Sequence, residues 1–165
     1  IGAVMIPTAA LSIPVFIIFT KLNLVNTRWA VILPSLISPL GVYLMKVYSD
    51  TSIPNNMIEA ARIDGAGPMR FFFDVVLPLS RTSIAALFVI QFIYGWNQYM
   101  WPLLVTTNEN MYPVVIGIKR MISGGDAQTE WNIVMATAML AMIPPAMVVI
   151  GMQKWFVKGL VDTEK

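Results

Sequence analysis

Long uncharged apolar stretches dominate this chain, and they leave it very few folds. Residues Ile1 to Thr20 carry no charge and match the roughly 20 residues a helix needs to cross a bilayer. Three more apolar stretches follow, at about 29–47, 84–105 and 133–156, the first and last of these with one lysine near the end. In hydrocarbon the backbone must satisfy its own N–H and C=O groups, and a chain segment does that alone only as a helix. The expected fold is therefore an all-α, polytopic membrane protein with four transmembrane helices. Charge agrees: 12% of the residues are charged and 57% hydrophobic, where a soluble domain is about 25% charged. Ile1 already lies inside an apolar run with no initiator Met. The chain therefore reads as the C-terminal portion of a longer one.

What is missing narrows the chemistry. With no Cys and no His, disulfides, thiol nucleophiles, haem, Fe–S clusters and ordinary zinc sites are not expected, and neither is histidine acid–base catalysis. No metal site is expected. No G-x-x-x-x-G-K-[ST] occurs, so ATP has no P-loop here. No carboxylate lies inside any of the four stretches, which leaves an ion-coupled carrier without a coupling acid. A membrane-embedded transferase has no evident nucleophile or base. The net charge of +2 is too small for a nucleic-acid partner. The chain is expected to be no enzyme and to hold no cofactor of its own.

Prolines and charge divide the spans. Pro7 and Pro14 should kink the first, and Pro34 and Pro39 the second, with Ser35 and Ser38 able to occupy freed backbone groups. Tyr43, Lys46 and Tyr48 mark an interfacial end. Pro144 and Pro145 should kink the fourth span. Seven basic residues (Lys46, Arg62, Arg70, Arg81, Lys154, Lys158, Lys165) fall on the side of the central loop and tail, against four (Lys21, Arg28, Lys119, Arg120) on the other. Positive charge favours the cytoplasm, so the loop at 49–81 should be cytoplasmic and the loop at 106–131 periplasmic.

The central loop is the most polar long segment. Pro54 suits a first helical turn, and Asn56 with Glu59 three residues on has the spacing of a capping box. Met57, Ile58 and Ala61 share a face at helical spacing. Gly65 and Gly67-Pro68 should break that helix, and a second short helix should run from Pro68 to about Val76. These residues alone fit either a hairpin lying on the membrane surface or a docking element.

The same stretch carries a pattern. Glu59-Ala60-Ala61, three residues, Gly65, then Val75, one residue and Leu77-Pro78 resembles the Glu-Ala-Ala signature of permease subunits of bacterial ABC importers, with Val75 in place of Ile. The likeness continues through Phe92 to Leu104, Glu130-Trp131-Asn132, Ile143-Pro144-Pro145 and Phe156 to Asp162. It points to the carbohydrate-type, maltose-permease-like branch, and within it to glycerol-3-phosphate permeases. Permeases for neutral mono- or oligosaccharides share much of this sequence.

The resemblance implies a permease domain in the bacterial cytoplasmic (inner) membrane, working with a homologous sister permease, two ATPase subunits that bind the ATP, and a periplasmic or lipid-anchored substrate-binding protein. It assigns Glu59, Ala60, Ala61, Asp64, Gly65, Leu77 and Pro78 to a cytoplasmic coupling-helix hairpin that meets an ATPase. It also lets the loop around Ser123, Gly124, Gly125 and Asp126 reach the binding protein, and the tail at Lys158-Gly159-Leu160 reach the ATPases. A surface helix over the apolar repeat Val115, Ile118 and Ile122 and a fraying terminus are the plainer readings of those two segments.

The third span is unusually polar. Gln91, Tyr94, Gln98 and Trp101 fall near one helical face, with Asn97 beside them. Amides bond hydroxyls and rings cover C–H surface, so these five residues are candidates for the path of a hydroxyl-rich solute. Helix–helix hydrogen bonding and an interfacial belt of Trp96, Tyr99 and Trp101 are the alternatives. No Lys or Arg lies in the middle of any span, so a phosphate must find its charge elsewhere, for instance on the sister permease.

Overall fold

Helix ends in this chain are set by a few polar and glycine residues, visible in a computed structural model that describes residues 5–122 and 129–162. Helix α1 (Thr8–Lys21) starts behind Pro7, which caps it from outside, and carries Pro14 within. It ends on Asn23, whose φ of 54° is left-handed. There the Asn23 N–H reaches Thr20 O at 3.1 Å and the Leu24 N–H reaches Phe19 O at 2.9 Å. That crossed pair is a Schellman closure, and Asn is the residue after Gly that best tolerates its central position.

Helix α2 (Arg28–Leu36) starts on Thr27, whose hydroxyl accepts the Ala30 N–H at 3.3 Å. The helix stops at Ile37, which is extended, ahead of Ser38-Pro39, where proline disfavours helical geometry in the preceding residue. Helix α3 (Pro39–Ser52) follows. Then come α4 (Asn55–Ile63), α5 (Pro68–Phe71), a wide π-turn (Phe72–Val76), α6 (Leu77–Leu79) and α7 (Arg81–Trp96). The chain closes with α8 (Met100–Val105), a 3₁₀ turn (Glu109–Met111), α9 (Val114–Ile122) and α10 (Trp131–Asp162). Helix α10 runs through Pro144 and Pro145 without interruption. No strand occurs among the described residues, as the all-α expectation requires.

Two helical segments are long and apolar enough to cross a membrane, Arg28–Ser52 and Trp131–Trp155. A third arises if Pro68–Leu79 and Arg81–Trp96, bent by 75°, count as one broken span. Four stretches were expected. The first is helical here over the 14 residues of α1, and the third is divided between α7 and α8. Most apolar side chains on these helices remain exposed, the condition of helices that face lipid or partner helices.

The helices fall into two units, one from Ile1–Ser38 with Phe92–Val148 and the other from Pro39–Gln91 with Val149–Lys165. In the first, Phe19, Ala30 and Val105 form the buried centre, with Val15, Phe16, Leu24, Val25, Val31 and Trp101 packed around it. Trp101 stands edge-on to Phe19, centroids 5.8 Å apart. Asn26, at φ 64°, donates its N–H to Val105 O at 2.7 Å. Its side-chain oxygen accepts from Thr107 N at 3.1 Å and Asn108 N at 3.2 Å. One residue thus closes the C-terminal end of α8.

Prolines explain two further bonds. Pro34 has no N–H, so the carbonyl of Ala30, four residues earlier, lacks its helical donor. The Trp101 indole N–H donates to Ala30 O at 2.8 Å. Pro145 leaves Ala141 O in the same position, and the Trp96 indole N–H donates to it at 3.2 Å. Trp101→Phe should therefore destabilise the protein by about 1–3 kcal/mol, the cost of a buried carbonyl without a partner. In a Pro34→Ala background the restored N–H should supply that partner and reduce the penalty to less than half. Thermal unfolding of the two single variants and the double variant in detergent checks this; additive losses would show that the indole N–H does not replace the missing one.

Candidate functional site

The hairpin between α3 and α7 is built to hold one shape. Helix α4 starts behind Pro54, with no side-chain cap. The capping box expected at Asn56 and Glu59 is not formed, because Asn56 already lies inside the helix and its amide cannot turn back to a free N–H. The other end is closed in full. Asp64 N–H reaches Ala60 O at 2.9 Å, Gly65 N–H reaches Arg62 O at 3.1 Å and Ala66 N–H reaches Ala61 O at 2.9 Å. This is a second Schellman closure, with Gly65 at φ 73° in its left-handed position. A Cβ on Gly65 would meet nothing within 4 Å, so the demand for glycine is one of backbone conformation, not of space.

Gly67 then turns the chain, and Pro68 opens α5 at its first position. The second arm runs on to Leu79, three residues past the expected end at Val76. Its π-turn, closed by Leu77 N–H on Phe72 O, has a local cause. The ring of Pro78 crowds the carbonyl four residues earlier, at Asp74, and a wider turn relieves that contact. At Ser80 the helix breaks and α7 leaves at 75°. The Tyr48 hydroxyl donates to Leu79 O at 2.8 Å and so ties the residues entering the hairpin to those leaving it. Tyr48 reads as an interfacial residue in the sequence; its partner is a carbonyl that the helix break at Ser80 leaves free.

The hairpin's surface is apolar and charged at once. Ile63 is 86% exposed and Met69 68%, with Phe72 and Phe73 also exposed. Glu59, Ala60, Asp64 and Leu77 are exposed, while Ala61 and Pro78 are half-buried. The Arg70–Asp74 ion pair, 3.4 Å and open to solvent on both sides, adds little stability. An exposed apolar patch of this kind on a rigid support is suited to a partner surface.

The polar end of the third stretch is not one helix. Helix α7 stops at Trp96, and Asn97, Gln98 and Tyr99 form a break before α8. Pro102 falls in the first turn of α8, where a missing N–H is tolerated. Gln91 is half-buried within α7, and Tyr94 is 51% exposed on its last turn. Asn97 is exposed, and its side-chain NH₂ donates to Ile93 O at 2.8 Å, closing the helix end. Gln98 is half-buried in the break. Trp101 belongs to the core described above, with its N–H engaged by Ala30.

In the segment between α8 and α10, Arg120 forms an ion pair with Glu109, lies 4.5 Å from the Tyr112 ring centroid and donates to the Tyr112 hydroxyl at 3.3 Å. Ser123, Gly124, Gly125 and Asp126 lie outside the described residues. So do the side chains of the tail at Lys158-Gly159-Leu160.

Residues 3–162 match the family described as binding-protein-dependent transport system inner membrane component. The chain belongs to this family. It is 53% identical over 161 residues to the sn-glycerol-3-phosphate transport system permease protein UgpE of Agrobacterium fabrum, covering 98% of this chain and 57% of that protein. The proteins of the same name from Pectobacterium atrosepticum and Rhizobium meliloti are 50% and 51% identical, with the same coverage. The chain thus spans a little over half the length of these relatives. In this inner-membrane family member the Glu-Ala-Ala residues form the last turns of α4, and the signature glycine is the left-handed closure of that helix.

Gly65→Val should cost the closure about 1–2 kcal/mol, the penalty of a Cβ in left-handed backbone. Amide exchange over residues 55–66, read by mass spectrometry, should then quicken roughly 5- to 30-fold by the same figure. Unchanged exchange would mean that the Ala61 and Arg62 carbonyls do not hold the helix end.

Proposed function

We propose that this chain is the C-terminal portion of a permease subunit of an ABC importer, forming part of the path for sn-glycerol-3-phosphate or a related small polyol or sugar. The observation that carries the reading is the match to inner-membrane transport components over residues 3–162, joined to half-identity with proteins named as glycerol-3-phosphate permeases. In this reading the chain hydrolyses nothing and binds no cofactor. ATP is held by two ATPase subunits, a sister permease completes the path, and a substrate-binding protein delivers the solute.

The hairpin supports a mechanical role. Closure of the ATPases moves a rigid two-armed element whose exposed Glu59, Ala60, Asp64 and Leu77 meet the ATPase surface. The solute path draws on Gln91, Tyr94, Asn97, Gln98 and Trp101; Asn97 keeps its side-chain oxygen available while its NH₂ closes the helix end, and Trp101 offers its ring while its N–H is engaged by Ala30. The segment around Ser123, Gly124, Gly125 and Asp126 contacts the binding protein.

Uptake competition tests the substrate. Membranes carrying the whole complex should take up glycerol-3-phosphate, and neutral sugars should not compete. Competition by a neutral sugar alone would place the chain among neutral-sugar permeases, and turnover of substrate without the ATPases would make it an enzyme.

Coupling is tested separately. Gly65→Val should leave the permease in the membrane but lower both co-purification of the ATPases and solute-dependent ATP hydrolysis. Glu59→Ala should act more mildly. Full retention of both readouts in Gly65→Val would reduce the hairpin to a surface element.

A further inference from the structure

A phosphate monoester carries nearly two negative charges at neutral pH, and the apolar helices offer it no cation at mid-depth. Two cations stand instead on α9. Lys119 and Arg120 line one cleft of about 390 Å³ together with Tyr99, Leu103, Ile116 and Ile122. That volume falls among those of small-molecule sites, about 300–1,000 Å³. The cleft thus joins α9 to the polar break that follows α7.

The two cations are in different states. Arg120 is held by Glu109 and by the hydroxyl and ring of Tyr112. Lys119 has no acidic or hydrogen-bonding partner among the described residues. The Tyr99 hydroxyl is likewise without a hydrogen bond there. Ile116 is buried beneath them, and Leu103 and Ile122 wall the sides. Lys119 and Arg120 are exposed while Ile116 is buried, so an anion can reach the cations from solvent and rest its other side on apolar surface. A cleft with one anchored cation, and with a second cation and a phenol that no described residue engages, suits a small oxyanion whose remaining surface is C–H and hydroxyl.

We propose that this cleft is a phosphate-binding site of the permease, in which Lys119 forms the ion pair, Tyr99 donates a hydrogen bond, and Arg120, fixed by Glu109 and Tyr112, adds positive potential. The inference rests on the importer reading above and deepens it. The distribution of basic residues sets α9 on the outer side, where solute arrives, so the site selects a phosphorylated solute before it reaches the break at Asn97 and Gln98.

The chain has no cysteine, so Leu103→Cys puts one thiol at the rim of the cleft. The assembled importer carrying it is placed in phosphatidylcholine nanodiscs without binding protein, and alkylation of this subunit by a neutral maleimide is timed. Glycerol-3-phosphate and inorganic phosphate should each slow alkylation, and glycerol should not. Lys119→Gln in the same background should raise the concentration for half-protection about tenfold or more, as loss of a charged hydrogen bond does. Lys119→Arg should retain protection. Ile122→Cys is the second reporter if Leu103→Cys does not assemble. Absence of slowing at either position overturns the site, as does equal slowing by glycerol. Slowing that follows added phosphatidylglycerol and ignores glycerol-3-phosphate assigns the cations to lipid headgroups and overturns it too. So does slowing by binding protein alone, loaded or empty. Uptake by the unmodified importer separates the two levels. Glycerol-3-phosphate uptake without protection sinks the cleft and keeps the importer reading; uptake of neutral sugars only sinks the substrate reading itself.

Discussion

A proline inside an apolar helix leaves one carbonyl without its donor, and no water is at hand in hydrocarbon to replace it. The arrangement of the first unit follows from how that debt is met. Ala30 O, freed by Pro34, takes the Trp101 indole, which draws α8 onto α2. Ala141 O, freed by Pro145, takes the Trp96 indole and joins the end of α7 to α10. The two tryptophans stand on either side of the break at 97–99. The interruption is therefore held open from both ends by bonds to other helices. Asn97 and Gln98 are left at a helix end, where the Asn97 side-chain NH₂ donates to Ile93 O.

Left-handed residues do similar work at the helix ends. Asn23 and Gly65 each sit at the turning point of a Schellman closure. The closure gives the Glu-Ala-Ala signature a physical basis. Ala61 supplies the carbonyl that the residue after the turn must reach, and Gly65 falls where left-handed backbone is needed. Side chains with a Cβ can be built there without collision, so the preference for glycine is a preference for the direction in which the second arm departs. The closure fixes that direction.

The helical class, the apolar stretches and the breakers at Gly65 and Gly67-Pro68 were legible in the sequence, because periodicity and glycine or proline act locally. The capping box was misread because Asn56 and Glu59 have the right spacing, while Pro54 already occupies the cap. The break before α8 was missed, although Pro102 signals a first helical turn. Trp96 and Trp101 read as belt or path residues because their partners lie 45 and 71 residues away. Only the rule that each internal proline orphans a carbonyl points to them, and it does not say which donor answers. Tyr48 was opaque for the same reason, since its acceptor exists only once Ser80 has ended the helix.

That last contact bears on how firmly the hairpin is held at its base. The second arm, Pro68 to Leu79, is one helical rod despite its π-turn, and it meets α7 at the single residue Ser80. A one-residue joint at 75° makes a poor lever if its base can drift, because rotation of the rod is then absorbed at the joint. The Tyr48 bond to Leu79 O fixes the base at the last residue of the rod. Ser80 is itself fully buried, so the joint is packed as well as tied. Its hydroxyl finds no hydrogen-bond partner among the described residues, so the packing that fixes the joint outweighs the cost of burying that group unpaired.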